Sequence, residues 1–197
     1  MTPEFYAVER EFICDSLPIM LAKAQRTKTA KVAPEMATSG YCATKKLAYY
    51  GFKIHSSNLM SADNKLPNLS AVALTSAAVH DNKAFKELIA PHCTHSKCYT
   101  DSAYFDKSGA EELKMNYNVT VCAIQKRNKG QKELFFDQKC QNTALSTIRQ
   151  TIEGFFAWLI EKTDIQNASK CRSTKGVFAH IYAKIAAIVM FQAIINS

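Results

Sequence analysis

Three strand-like stretches with no helix between them, followed by helix and strand in turn, constrain this chain more than any other feature. Alternating and β-branched runs place strands at about residues 9–15, at AYYGFKIHSS and at LSAVALTS. A polar, basic excursion from about residue 22 to 44, holding Pro34 and Gly40, separates the first two. Asp81 is expected to cap a helix, NKAFKELIA, that stops before Pro91, and KCYTDSAY reads as a fourth strand running into a turn. Ser108 is expected to cap a second helix, GAEELKMNY, and NVTVCAIQ reads as the fifth strand. In NTALSTIRQTIEGFFAWLIEKT, Leu145, Ile148, Ile152, Phe155 or Phe156, and Leu159 recur at helical spacing, so this stretch is expected to be an amphipathic helix with Trp158 in the core.

The resulting order, β-β-β-α-β-α-β-α-α, predicts an α/β fold with a mixed five-stranded sheet flanked by helices. That is the plan of the ribonuclease H-like fold. Without a repeat, a low-complexity tract or a linker, residues 1–197 read as a single domain.

The last apolar run, GVFAHIYAKIAAIVMFQAIIN, is interrupted by His180 and Lys184, and its uncharged remainder is shorter than the roughly 20 residues a membrane span requires. It is expected to be a buried C-terminal helix, with no membrane partner. Seven cysteines in no regular framework, and an N-terminus without an apolar signal core, point to a reduced, cytoplasmic protein. His92, Cys93, His95 and Cys98 offer a four-ligand zinc set, although no second knuckle completes a finger spacing, and buried thiols in a loop are the simpler reading.

Charge narrows the partner. The formal net charge of +8 attracts polyanions. Basic residues cluster at Lys23–Lys31, at Lys45, Lys46 and Lys53, at Lys126–Lys132, and at Lys170–Lys175.

Three acids stand where acids look misplaced. Asp15 ends the first strand before Leu17 and Pro18, Asp101 ends the fourth, and Glu153 sits beside the apolar face of the long helix. In a sheet of this order the first and fourth strands can lie side by side, so their carboxyl ends converge and the helix brings its glutamate across them. Hard oxygen ligands of this kind suit Mg²⁺, and two such ions can drive an in-line attack on phosphorus. Each acid alone has a simpler role: Asp15 as a turn acceptor, Asp101 as the cap of DSAY, Glu153 as the partner of Arg149. His55 reads equally as a satisfied strand histidine, and Lys53 as a solvated or phosphate-contacting strand lysine.

The successive blocks FICDSLPIMLAKAQR, YYGFKIH, LTSAAVHDNKAF, YTDSAYFD, IRQTIEGFFAWLIEK and ASKCRSTKGVFAHIYAKIAAIV resemble those of DDE transposases from bacterial insertion sequences, in order and over nearly the whole chain. The resemblance implies that Asp15, Asp101 and Glu153 are the catalytic triad holding two Mg²⁺ ions, with Mn²⁺ as a surrogate. It implies cleavage of transposon DNA ends and strand transfer to target DNA, with Arg149 and Lys53 as DNA contacts. It further implies a bacterial, nucleoid-associated location, and it leaves room for a homodimer.

The chain departs from the family in two places. On the catalytic helix Arg149 and Glu153 match, but Ser146 and Ile160 replace the usual tyrosine and lysine, and Lys162 points to another side of the helix. Few residues precede Asp15, so the end-recognising helical region is expected to be missing. Two other readings therefore stand beside the active core: an inactive truncated transposase that binds DNA or full-length enzyme, and a nuclease of the same fold that ends at hydrolysis.

Overall fold

The computed structural model describes residues 10–61, 66–127 and 130–195; residue 9 of the first expected strand and Lys129 lie outside them. Six strands form one mixed sheet: β1 (Arg10–Lys23), β2 (Thr38–Cys42), β3 (Leu47–Leu59), β4 (Asn68–Ser76), β5 (Ser96–Thr100) and β6 (Val119–Ala123). β1 pairs antiparallel with β3 and parallel with β5, and β5 pairs parallel with β6. On its other edge β3 is long enough to carry two partners end to end, β2 on its first half and β4 on its second. Leaving β2 aside, the order β4-β3-β1-β5-β6 is the ribonuclease H-like arrangement. The sixth strand, β2, lies in the excursion expected to be irregular, where TSGYC has too few apolar residues to show a period.

β1 does not stop at Asp15 as expected. It continues through Pro18 to Lys23, paired with β3 throughout. Proline lacks an N–H and is normally barred from a central strand, but here its nitrogen faces the edge that β5 has already left, since β5 pairs only with Arg10–Ile13. Two residues on, on that same edge, the Met20 N–H donates to the Gln166 carbonyl and the Met20 carbonyl accepts from the Ala168 N–H, at 2.8 and 3.0 Å. Asp15 thus lies in mid-strand, opposite Ser56, just past the point where the parallel ladder ends.

Helices cover both faces. On one, Phe12, Cys14 and Cys98 pack with Val119, with Phe85 and Ile89 from a helical segment, and with Leu113 of α2 (Lys107–Tyr117). That segment begins as α1 (Asp81–Ala84), passes through a π-helical turn at Phe85–Ile89 and ends at His92. On the other face, Ile13, Leu17, Ile19 and Tyr99 meet Ile152, Phe155, Phe156 and Leu159 of α3 (Phe136–Thr163). Each of these large side chains contributes about 1.5–3 kcal/mol by leaving water. Trp158 is half-buried against the same cluster, its ring 6.1 Å from Phe155.

Two expected caps are displaced by one or two residues. His80 is the N-cap of α1, its Nδ1 accepting from the Asn82 N–H, and Asp106 caps α2 in place of Ser108, accepting from the Gly109 N–H at 2.6 Å. Asp81 is thereby free to pair elsewhere.

The last helix, α4 (Thr174–Ile195), is not the buried helix expected. Only a stripe of Val177, Ile181, Ile188 and Gln192 is enclosed, while Tyr182, Met190 and Phe191 are exposed. By length and composition it is apolar enough to cross a membrane. Gln192 ties it to the chain before β4, accepting from the Leu69 N–H and donating to the Pro67 carbonyl.

Candidate active site

Alternation along β1 aims Ile13, Asp15 and Leu17 at α3, and Asp101 follows β5 on the adjacent strand. The two aspartates meet through α3. Arg149 places Nη2 3.6 Å from Asp15 Oδ2 and Nη1 3.6 Å from Asp101 Oδ1. Its own Nε is buried without a hydrogen-bond partner.

Both carboxylates are also held from their own backbone. Asp15 Oδ1 accepts from the Ser16 N–H at 2.8 Å, and Asp101 Oδ1 from the Ser102 N–H at 2.6 Å, capping the 3₁₀ turn Ser102–Tyr104. The Tyr104 hydroxyl stands 3.5 Å from Asp15 Oδ1. Burial pushes the Asp15 carboxyl up to about 6; the charges of Asp101 and Asp81 add to this, while the Ser16 N–H and Arg149 oppose it. An acid so placed is short of positive charge.

Glu153 lies one helical turn beyond Arg149 on α3 and is exposed. The structure therefore brings Asp15 and Asp101 together through Arg149; Glu153 shares their helix partner α3 but makes no contact with either aspartate among the described residues, and the three acids do not form one ligand cluster there. Lys53 is held elsewhere, in an ion pair 2.8 Å from Asp81 Oδ1. The buried His55 completes that group: its Nε2 is 2.8 Å from Thr75 Oγ1 and its Nδ1 is 3.9 Å from Asp81. Burial lowers the His55 pKa to about 4, with Lys53 adding to the effect and Asp81 opposing it. Asp81, read from the sequence as a cap, and Tyr104 are the members of this polar cluster that sequence reasoning missed. The block VHD was the available signal for Asp81, because a cap and an ion-pair partner look alike until the fold places Lys53 opposite.

A family model described as Transposase DDE domain matches residues 8–190. The chain belongs to this family. A search of curated proteins and one of solved structures each find no match. The family is one of transposition and recombination enzymes acting on DNA with divalent metal ions. In this DDE domain Asp15 and Asp101 offer hard oxygens around one shared guanidinium, and burial leaves the Asp15 charge only partly offset, a donor chemistry that suits such an ion.

A cleft of about 920 Å³ opens between the ends of β5 and β6 and the first half of α3, lined by Tyr99, Ser102, Gln125, Gln141 and Ile148; it reaches the neighbours of Asp101 and Arg149, but neither aspartate lines it. Lys126 lies on its wall and, with Arg127, Lys132 and Lys139, lines a neighbouring basic depression. The remaining basic clusters gather elsewhere, at the connector after α3. There Lys23 donates to Asn167 Oδ1 at 2.7 Å and Lys45 to Gln166 Oε1, close to Lys170 and Arg172 in sequence.

Proposed function

We propose that this chain is a transposase catalytic core that cleaves transposon DNA ends and transfers the strand to target DNA. The observation that carries the reading is the convergence of Asp15 and Asp101 on one guanidinium at the end of the β1–β5 ladder. Asp15, Asp101 and Glu153 would hold two Mg²⁺ ions, which supply the activation of a water or 3′-hydroxyl and the stabilisation of the leaving oxygen. Arg149, the cation now shared by the aspartates, would exchange that pairing for a DNA phosphate. The cleft wall at Lys126 and the basic residues next to it give the phosphate backbone a path to the carboxylates. Lys53 supports this role indirectly, by holding Asp81 beside the cluster.

Free thiols and a DNA substrate suit a bacterial cytoplasm. We read α4 as a part of the domain, since its buried stripe joins the α3 core and the family match extends along it to residue 190.

The test is cleavage and joining of plasmid DNA by the purified chain in Mg²⁺ or Mn²⁺. Asp15→Asn, Asp101→Asn and Glu153→Gln should each abolish cleavage while leaving the circular dichroism spectrum intact. Joined strands identify a transposase, and nicks alone a hydrolytic nuclease. Undiminished cleavage by Asp101→Asn would overturn the site.

One observation favours a second reading, a silent DNA-binding relative. Arg149 already occupies the space between the aspartates, and Ser146 and Ile160 replace two residues of the family's helix pattern. On that reading the chain binds DNA with steep salt dependence and does not cut it.

A further inference from the structure

The other face of β1, away from the carboxylates, carries a second constellation. Cys14 on β1, Cys93 just after the helical segment and Cys98 on β5 bring their sulfur atoms within 4.8 Å of one another. All three are buried in the same apolar cluster, formed with Phe12, Phe85 and Val119. The set differs from the one suggested by the local spacing. Cys93 and Cys98 turn inward, whereas His92 and His95 are exposed and the His95 ring pairs with the Asn118 amide at 3.1 Å. The third sulfur comes from a strand distant in sequence.

We propose that Cys14, Cys93 and Cys98 form a structural site for a thiophilic d¹⁰ cation, with Zn²⁺ as the first candidate. A zinc–sulfur bond of about 2.3 Å places the sulfurs of a tetrahedral site about 3.8 Å apart, so only a small contraction of the triad is needed. Thiolates are soft donors and select zinc or Cu(I) over Mg²⁺, which keeps this site chemically distinct from the carboxylates. The Ser57 hydroxyl, fully buried beside Cys93 and without a hydrogen-bond partner of normal geometry, offers a neutral fourth donor. Around the set, the Ser96 hydroxyl lies 3.8 Å from Cys98 Sγ and also donates to the Cys93 carbonyl, which orients both ligands.

Binding replaces three S–H bonds with three metal–sulfur bonds and releases three protons to solvent. A disulfide, by contrast, engages only two of the three sulfurs and needs an oxidant. Because the sulfurs are sealed from solvent, the metal enters as the chain folds. Its effect is to staple β1 to β5 immediately before Asp15 and Asp101 leave the ladder.

The full chain, refolded with Zn²⁺ or Cd²⁺ and desalted, should retain one equivalent of metal by elemental mass spectrometry. Chelator should strip it only after denaturation. With Cd²⁺, an ultraviolet thiolate-to-metal charge-transfer band should appear, and X-ray absorption should count three sulfur neighbours. Cys98→Ser should cut retained metal to less than about a tenth of an equivalent, while Cys140→Ser, at an exposed position, should leave it unchanged. If Cys98→Ser does not fold, the sulfur count in the wild-type chain decides alone. No retained metal, fewer than three sulfur neighbours, or a wild-type mass lighter by two hydrogens from a disulfide would overturn the site.

Discussion

Arg149 stands 3.6 Å from Asp15, reaching from the middle of α3 to the middle of β1, and the same guanidinium is 3.6 Å from Asp101. The pairing joins helix and sheet at the place where two parallel strands part, and among the described residues it supplies the cation that offsets the burial of Asp15. Replacing Arg149 with Ala should therefore have two opposite effects. Stability should fall by about 1–2 kcal/mol, below the range for a fully buried pair because Asp101 is partly exposed. Affinity for Mn²⁺ should rise, since a competing cation has gone. Calorimetric titration of wild-type and variant checks this, and equal or weaker metal binding in the variant counts against it.

Asp15 makes the metal-free fold pH-sensitive. Its carboxyl sits at about 6 in the folded chain against 3.8 ordinarily, so the folded state holds its proton more tightly than the unfolded state. The favourable contribution is fully present below pH 3.8 and is lost as pH rises through about 6, a change of roughly 3 kcal/mol at 1.36 kcal/mol per pK unit. Asp15→Asn should remove this dependence, so that at pH 7 the metal-free variant melts higher than wild type although it cannot cleave. Thermal melts at pH 5 and pH 7 measure it; a variant that is less stable than wild type at pH 7 would contradict the assignment.

Gly51 guards the β1–β3 pairing that carries Asp15. It has φ +155°, and a Cβ there would lie 2.1 Å from the Ile19 carbonyl oxygen, a backbone atom that cannot yield without breaking register. Gly51→Ala should destabilise the chain by roughly 3 kcal/mol or more. Urea unfolding would show this as a lowered midpoint.

Lys53 is committed to Asp81 and so should contribute little to DNA binding before any rearrangement. Lys53→Gln should leave the slope of DNA affinity against salt nearly unchanged, whereas Lys126→Gln should reduce its magnitude by about one. The same Lys53 substitution should raise the pKa of His55 from about 4, because a cation beside the ring is removed while Asp81 remains. Histidine proton NMR follows that shift directly.

Apart from β2, the order of elements was legible in the sequence because the other strands and the long helix carry their own period: alternation in VTVCA, and the spacing of Ile148, Ile152, Phe155 and Leu159 along α3. Asp15, Asp101 and Glu153 could be read as acids out of place in the same way, since a charge beside an apolar pattern is visible without coordinates, whereas Arg149 was marked only by the family resemblance and by its spacing from Glu153. What the sequence could not decide was which groups would meet. That Arg149 spans both aspartates, that Asp81 serves Lys53 and His55 while His80 caps α1, and that Cys14 joins Cys93 and Cys98 depend on β1 lying between β3 and β5. Local periodicity records which way a side chain points along its own element, whereas pairing between elements distant in the chain is set by the packing of the whole sheet. For the same reason Pro18 misled as a strand terminator: whether its missing N–H matters depends on whether a neighbour lies on that edge, and only the early departure of β5 answers that.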